Sequence, residues 1–200
     1  MPRTITETFQ VFTIAELSES AKQKAYEEFL ENCLFEDWAE FIIADAKTIG
    51  ALIGINIDKV YFSGFSSQGD GACFEGSYEY KKGWKKALKE YAPNCKEVLE
   101  IAQGLQALQS TNFYKLSAQV VQSGHYNHSG CTSIEVTEKE TGYSIGDDIE
   151  EEMKSLLRDF MDWIYKSLET EYEYQTSEKA FLDDAEANER EYYENGTMYF

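Results

Sequence analysis

The sequence predicts an α+β fold: a mainly antiparallel sheet built from two hairpins plus terminal strands, with amphipathic helices packed on one face. Three observations point to it. Apolar residues recur at helical spacing in several stretches, period-two runs come in pairs, and each pair flanks a loop rich in Gly and Ser. No convincing repeat and no Pro- or Ser-rich linker divides the chain, so residues 1–200 read as a single acidic domain. With 200 residues, 42% of them hydrophobic, folding can bury about 70% of the extended-chain surface. A sizeable core is attainable, which excludes fibrous, collagen-like, transmembrane and disulfide-dependent architectures.

The elements follow in order. Residues 5–12 alternate around Ile5, Phe9 and Val11, as a first strand would. Thr13 with Glu16, then Ser18 before Ala21, Ala25, Phe29 and Leu30, mark a cap and a helical stripe to about residue 32. Phe35, Trp38, Phe41, Ile42, Ile49, Leu52 and Ile53 predict a second helix that stops at Gly54. The runs 57–65 and 72–80 flank Ser66-Ser67-Gln68-Gly69-Asp70-Gly71, a hairpin with a long loop. A helix begins near Lys81 and breaks at Pro93, and a longer one spans about 96–110 with Val98, Ile101, Leu105 and Leu108 inward. A second hairpin joins 113–121 to 131–136 through Ser123-Gly124-His125-Tyr126-Asn127-His128-Ser129-Gly130. Asp147 and Glu150 suggest a capping box ahead of a seven-turn amphipathic helix carrying Ile149, Met153, Leu156, Phe160, Ile164, Leu168 and Tyr172. Thr176 or Ser177 caps a last short helix, and 197–200 add an edge strand.

Charge narrows the function classes. Asp and Glu number 37 against 18 Lys and Arg, a net charge of −19. Such a field repels polyphosphate, so nucleic acid and anionic membrane are disfavoured as primary ligands and a basic protein is favoured. Residues 147–200 hold 17 of the acids and 5 of the bases. Within them Asp147, Glu151, Asp162, Glu169 and Glu173 recur near helical period, interrupted by Arg158, and can present a negative ridge to a basic groove; solvation alone would also account for them. Met1-Pro2-Arg3-Thr4 is polar and no apolar run of signal length follows, so a cytoplasmic location is expected. Cys33, Cys73, Cys95 and Cys131 form no CxxC pair and read as free thiols.

Four constellations merit a chemical reading. In the first hairpin loop Ser66, Ser67, Gln68 and Asp70 offer short polar groups for recognition, although a simple Asx-type turn explains them as well; no P-loop order is present. His125, His128 and Cys131 stand three residues apart. Should the two loops lie side by side, Asp70 would complete a tetrahedral metal set, or His128 would serve Cys131 as base. The spacing matches no strong metal motif, so no cofactor or metal is assigned, and loop histidines facing solvent are the plainer reading. Lys81, Lys82, Lys85, Lys86 and Lys89 surround Trp84 and read as a solvated helix face with Trp84 and Leu88 inward. Of 14 tyrosines, six lie in the acidic C-terminal stretch, where Tyr suits an interface.

Phe62-Ser63-Gly64-Phe65-Ser66-Ser67-Gln68-Gly69-Asp70-Gly71-Ala72-Cys73-Phe74-Glu75-Gly76, the second loop 123–131, and Leu157-Arg158-Asp159-Phe160-Met161-Asp162-Trp163-Ile164-Tyr165 resemble a family of phage and prophage proteins, some labelled antitoxins of toxin-antitoxin systems. The resemblance extends over nearly the whole chain and includes the Leu17-Ser18-Glu19 helix start. It implies a mobile-element setting in a bacterial host and carries no catalytic residues with it. The expected function is binding and inhibition of a basic host protein, a toxin or a nuclease of host defence, by an acidic surface. Two alternatives stand beside it: a small metal- or Cys/His-dependent enzyme using Asp70, His125, His128 and Cys131, and a structural phage protein, for which a homodimer would be natural.

Overall fold

A computed structural model describes Arg3 and residues 7–34 and 37–200. These gather into two compact units, one of residues 39–169 and a smaller one of 1–38 with 170–200. The family of elements is α+β, as expected: six α-helices, a four-stranded antiparallel sheet and a separate two-stranded sheet among the described residues.

In the larger unit, α2 (Glu40–Ile53) ends where Gly54 turns left-handed, at φ 95°, and its N–H returns to the Gly50 carbonyl. A Cβ at Gly54 would strike the Glu79 carbonyl, so only glycine allows the chain to pass directly from helix to sheet here. The sheet follows in chain order as β1 (Ile55–Phe62), β2 (Ala72–Glu79), β3 (Leu116–Gln122) and β4 (Thr132–Glu138), all antiparallel. Period two decides its faces. Phe74, Tyr78, Ala118, Val120, Ile134 and Val136 are buried and share one side by register, whereas Gln119, Ser133 and Glu135 on the other side are exposed.

Helices α3 (Trp84–Tyr91) and α4 (Lys96–Thr111) form the connection from β2 to β3. Trp84 and Leu88 do turn inward while Lys85, Lys86 and Lys89 stay in solvent. Buried Gln109 on α4 satisfies both ends of its amide on Leu116, accepting its N–H at 3.2 Å and donating to its carbonyl at 2.8 Å, which pins the helix end to the start of β3. The longest element, α5 (Asp147–Gln175), buries Met153, Leu157, Phe160, Met161, Ile164 and Leu168, and Phe160 meets Phe74 edge-on at 6.2 Å. Asp147 belongs to the helix rather than capping it: Ile149 and Glu150 donate to the Gly146 carbonyl, so the start lies one residue earlier than a cap at Asp147 requires.

The smaller unit joins the two ends of the chain. Here α1 (Glu19–Asn32), capped by Ser18 through the Ala21 N–H, packs with α6 (Glu178–Ala187) around Leu17, Ala21, Ala25, Phe181, Ala185 and Tyr192. The terminal strands depart from expectation. The strand predicted for 197–200 is β6 (Met198–Tyr199), and it pairs with β5 (Glu191–Tyr192) in a sheet of its own. In the predicted first strand, Ile5 lies outside the described residues, and Phe12 makes only a single antiparallel bridge to Tyr192. Phe35, expected on the second helix, also lies outside them.

Candidate functional site

Because β1 and β3 run in the same direction, both hairpin connections leave the sheet at one end. The two loops, 63–71 and 123–131, meet there. Asn127 Nδ2 donates to the Phe62 carbonyl at 3.0 Å, and a Cβ at Gly71 would fall 2.6 Å from the Cα of His128, so the glycine is what lets the second loop close on the first. The first loop is also tied to α5. Tyr165 donates its hydroxyl to the Gly64 carbonyl at 3.1 Å and stacks on Phe65 with ring centroids 5.4 Å apart.

Each predicted loop residue can now be placed. Asp70 is occupied by its own turn: one carboxylate oxygen accepts the Ser66 and Ser67 N–H groups at 3.0 and 2.6 Å. The Ser66, Ser67 and Gln68 side chains are exposed. His125 is exposed and meets Tyr126 edge-on, while Tyr126 stacks over His128 at 6.1 Å. His128 and Cys131 do come together, with Nε2 3.4 Å from Sγ.

The chemistry open to that pair follows from hydrogen bonding. Nδ1 of His128 accepts the Gly130 N–H at 3.1 Å, so in the neutral ring the proton sits on Nε2 and points to the sulfur. An imidazole in that tautomer donates to Cys131 and has no lone pair with which to take its proton, which is the wrong arrangement for a general base. Nor do the four residues form a metal set: among the described residues no three His, Cys, Asp or Glu side chains are grouped closely enough to share an ion. Neighbouring Cys73 is buried on β2, and burial, with a smaller contribution from Cys131, pushes its thiol up to about 11, so it stays protonated and inert at neutral pH.

The acidic residues of α5 are arranged differently. At 3.6 residues per turn, Asp147, Glu151, Asp162 and Glu169 fall within roughly 60° of helical arc, roughly 90° or more from the centre of the buried stripe; Arg158 shares that arc, and Asp148, Glu150, Glu152, Asp159 and Glu171 lie outside it. Glu173, one turn beyond Glu169, continues the phase in the stretch of helix that belongs to the smaller unit. Glu151 is paired with Lys154 at 2.9 Å, and that hydrogen bond and charge hold its carboxyl below the ordinary value. None of Asp147, Asp162, Glu169 and Glu173 has a cation within ion-pair range among the described residues. Where Asp159 adjoins Asp162, burial and then the charge of Asp162 raise the Asp159 carboxyl.

Fold and loop pair thus define an α+β protein with a one-sided antiparallel sheet, two interlocked hairpin loops at one end of it, and a long acidic helix. Residues 38–178 match the model of a family described as a domain of unknown function, DUF8835, and the chain belongs to that family. No curated protein and no solved structure gives a match. The matched segment contains the whole larger unit, including both loops. No described helix is long and apolar enough to cross a membrane.

Proposed function

We propose that this chain is a phage or mobile-element protein that acts in the bacterial cytoplasm by binding a basic host protein, a toxin or a nucleic-acid-directed defence factor, and blocking its positive surface. One observation carries the reading: four carboxylates of α5 lie in one narrow arc away from its buried stripe, and three of them lack a cation within ion-pair range among the described residues. A protein that needed charge only for solubility has no requirement to align it. Carboxylates along one face of a helix present a line of negative charge, which steers a basic partner and fixes its orientation. Attraction of this kind speeds encounter and weakens with salt.

The enzyme alternative has less support, because Asp70 is spent on its turn and His128 faces Cys131 with the wrong proton. The test is to identify a partner by affinity capture from host lysate and follow its association with this chain as salt is raised. A drop of about tenfold or more in on-rate between ~0.05 and ~0.5 M salt is expected. A salt-independent on-rate, or a partner with an acidic surface, contradicts the proposal.

A further inference from the structure

The smaller unit contains a cavity of about 760 Å³, within the size range of small-molecule sites. Its apolar wall comes from Phe29 of α1 and Phe181 of α6, whose rings pack at 5.4 Å, with Met198 of β6 beside them. Tyr192 lines the same space. The residue is only 4% exposed, and its hydroxyl makes no hydrogen bond to another described residue. Asp184, Arg190 and Glu28 line the same cavity. The hydroxyl is left to solvent in the cavity, where another molecule can take the place of water.

The charges define that molecule. Asp184 is neutralised by Arg190, whose Nε lies 3.2 Å from the carboxylate. Glu28, Glu31 and Asp183 also line the cavity, and none has a cation within ion-pair range among the described residues. Carboxylates beside a low-dielectric aromatic wall concentrate negative potential, and the faces of Phe29, Phe181 and Tyr192 attract a cation as well. We propose that this cavity is a binding site for a small organic cation with an apolar body: Glu28 takes the ammonium, the Tyr192 oxygen accepts one of its N–H groups, and the hydrocarbon part lies against Phe29 and Phe181. The proposal is independent of the acidic face of α5.

Three probes of nearly equal size and shape test it on the full chain: 2-phenylethylammonium, neutral 2-phenylethanol and anionic 3-phenylpropanoate, each titrated by calorimetry and ligand-observed NMR. The cation is expected to bind saturably, the alcohol at least tenfold more weakly, and the anion not at all, with the cation weakened by added salt. Tyr192→Phe removes the hydroxyl and keeps the ring, and should weaken the cation roughly three- to tenfold. Ala187→Trp, at an exposed position on the cavity edge, should block binding while circular dichroism stays unchanged. Absence of saturable binding by the cation, binding of the alcohol or anion as tight as that of the cation, or wild-type affinity in both variants would overturn the assignment.

Discussion

The two units differ in how they carry charge and how they are held together. By sequence, residues 39–169 hold 20 acidic and 13 basic side chains, a net −7, whereas the much shorter 1–38 with 170–200 hold 17 and 5, a net −12. The larger unit is organised by three adjacent strand pairs and a helix buried along six positions, the smaller by one helix pair, a two-residue ladder near the C-terminus and the single bridge from Phe12 to Tyr192. A dense core tolerates a moderate charge. The smaller unit combines a thin core, a cavity and a high charge density, so its integrity depends more on conditions. Greater stability is therefore expected in the larger unit, and the proposed cation site lies in the smaller one.

Core truncation should separate the units most sharply. Phe160→Ala, at a fully buried position against Phe74 and Trp163, is expected to cost about 3–5 kcal/mol in urea unfolding. Phe181→Ala should cost less, about 2–3 kcal/mol, because its ring already borders a cavity and leaves no new enclosed void. Its effect should appear first in hydrogen exchange of α1 and α6. Equal costs, with loss of protection spread over both units, would merge the two into one cooperative block.

The loop pair offers a middle-sized effect. Gly71→Ala places a methyl group against the backbone of His128 and is expected to cost about 1–3 kcal/mol, with chemical-shift changes confined to 63–71 and 123–131. Alkali should act mainly on the larger unit. Burial raises the Cys73 thiol from 9.0 to about 11 and the Tyr78 phenol from 10.0 to about 12, so the folded state keeps protons that the unfolded chain releases earlier. That contribution is fully present below pH 9 and is lost as pH rises through 11 and then 12. For Cys73 it amounts to about 1–2 kcal/mol, read as the fall in urea midpoint from pH 9 to 11, and Cys73→Ala should flatten it. Salt gives the smallest difference. Raising it from ~0.05 to ~0.5 M should protect amides of the smaller unit by up to about 1 kcal/mol and those of the larger by less.

How much of this was legible beforehand depends on how local each signal is. The stripe Met153, Phe160, Ile164 and Leu168 and the alternation Ile134, Val136 are written within single elements, so α5 and the hairpins could be read directly. Helix α2 stopped at Gly54 as expected because a left-handed residue has a local cause. Phe12 misled because its bridge is to Tyr192, at the far end of the chain, and such pairing leaves no period in either segment. The spacing of His128 and Cys131 suggested their approach, but the Gly130 N–H that sets the ring's proton is backbone geometry. The cavity was not legible at all: it is assembled from α1, α6 and the two short strands, and Tyr192 looked like one tyrosine among several in an acidic tail.

The central claim is that the aligned carboxylates of α5, rather than net charge, select a basic partner. Capture from host lysate by the Asp162→Lys, Glu169→Lys variant, compared with wild type and with a Glu100→Lys, Glu135→Lys control that makes the same change of net charge at exposed positions off α5, addresses it directly. The account predicts a basic protein retained by wild type and control and lost from the α5 variant. Equal retention by all three, or loss from the control alone, would contradict it.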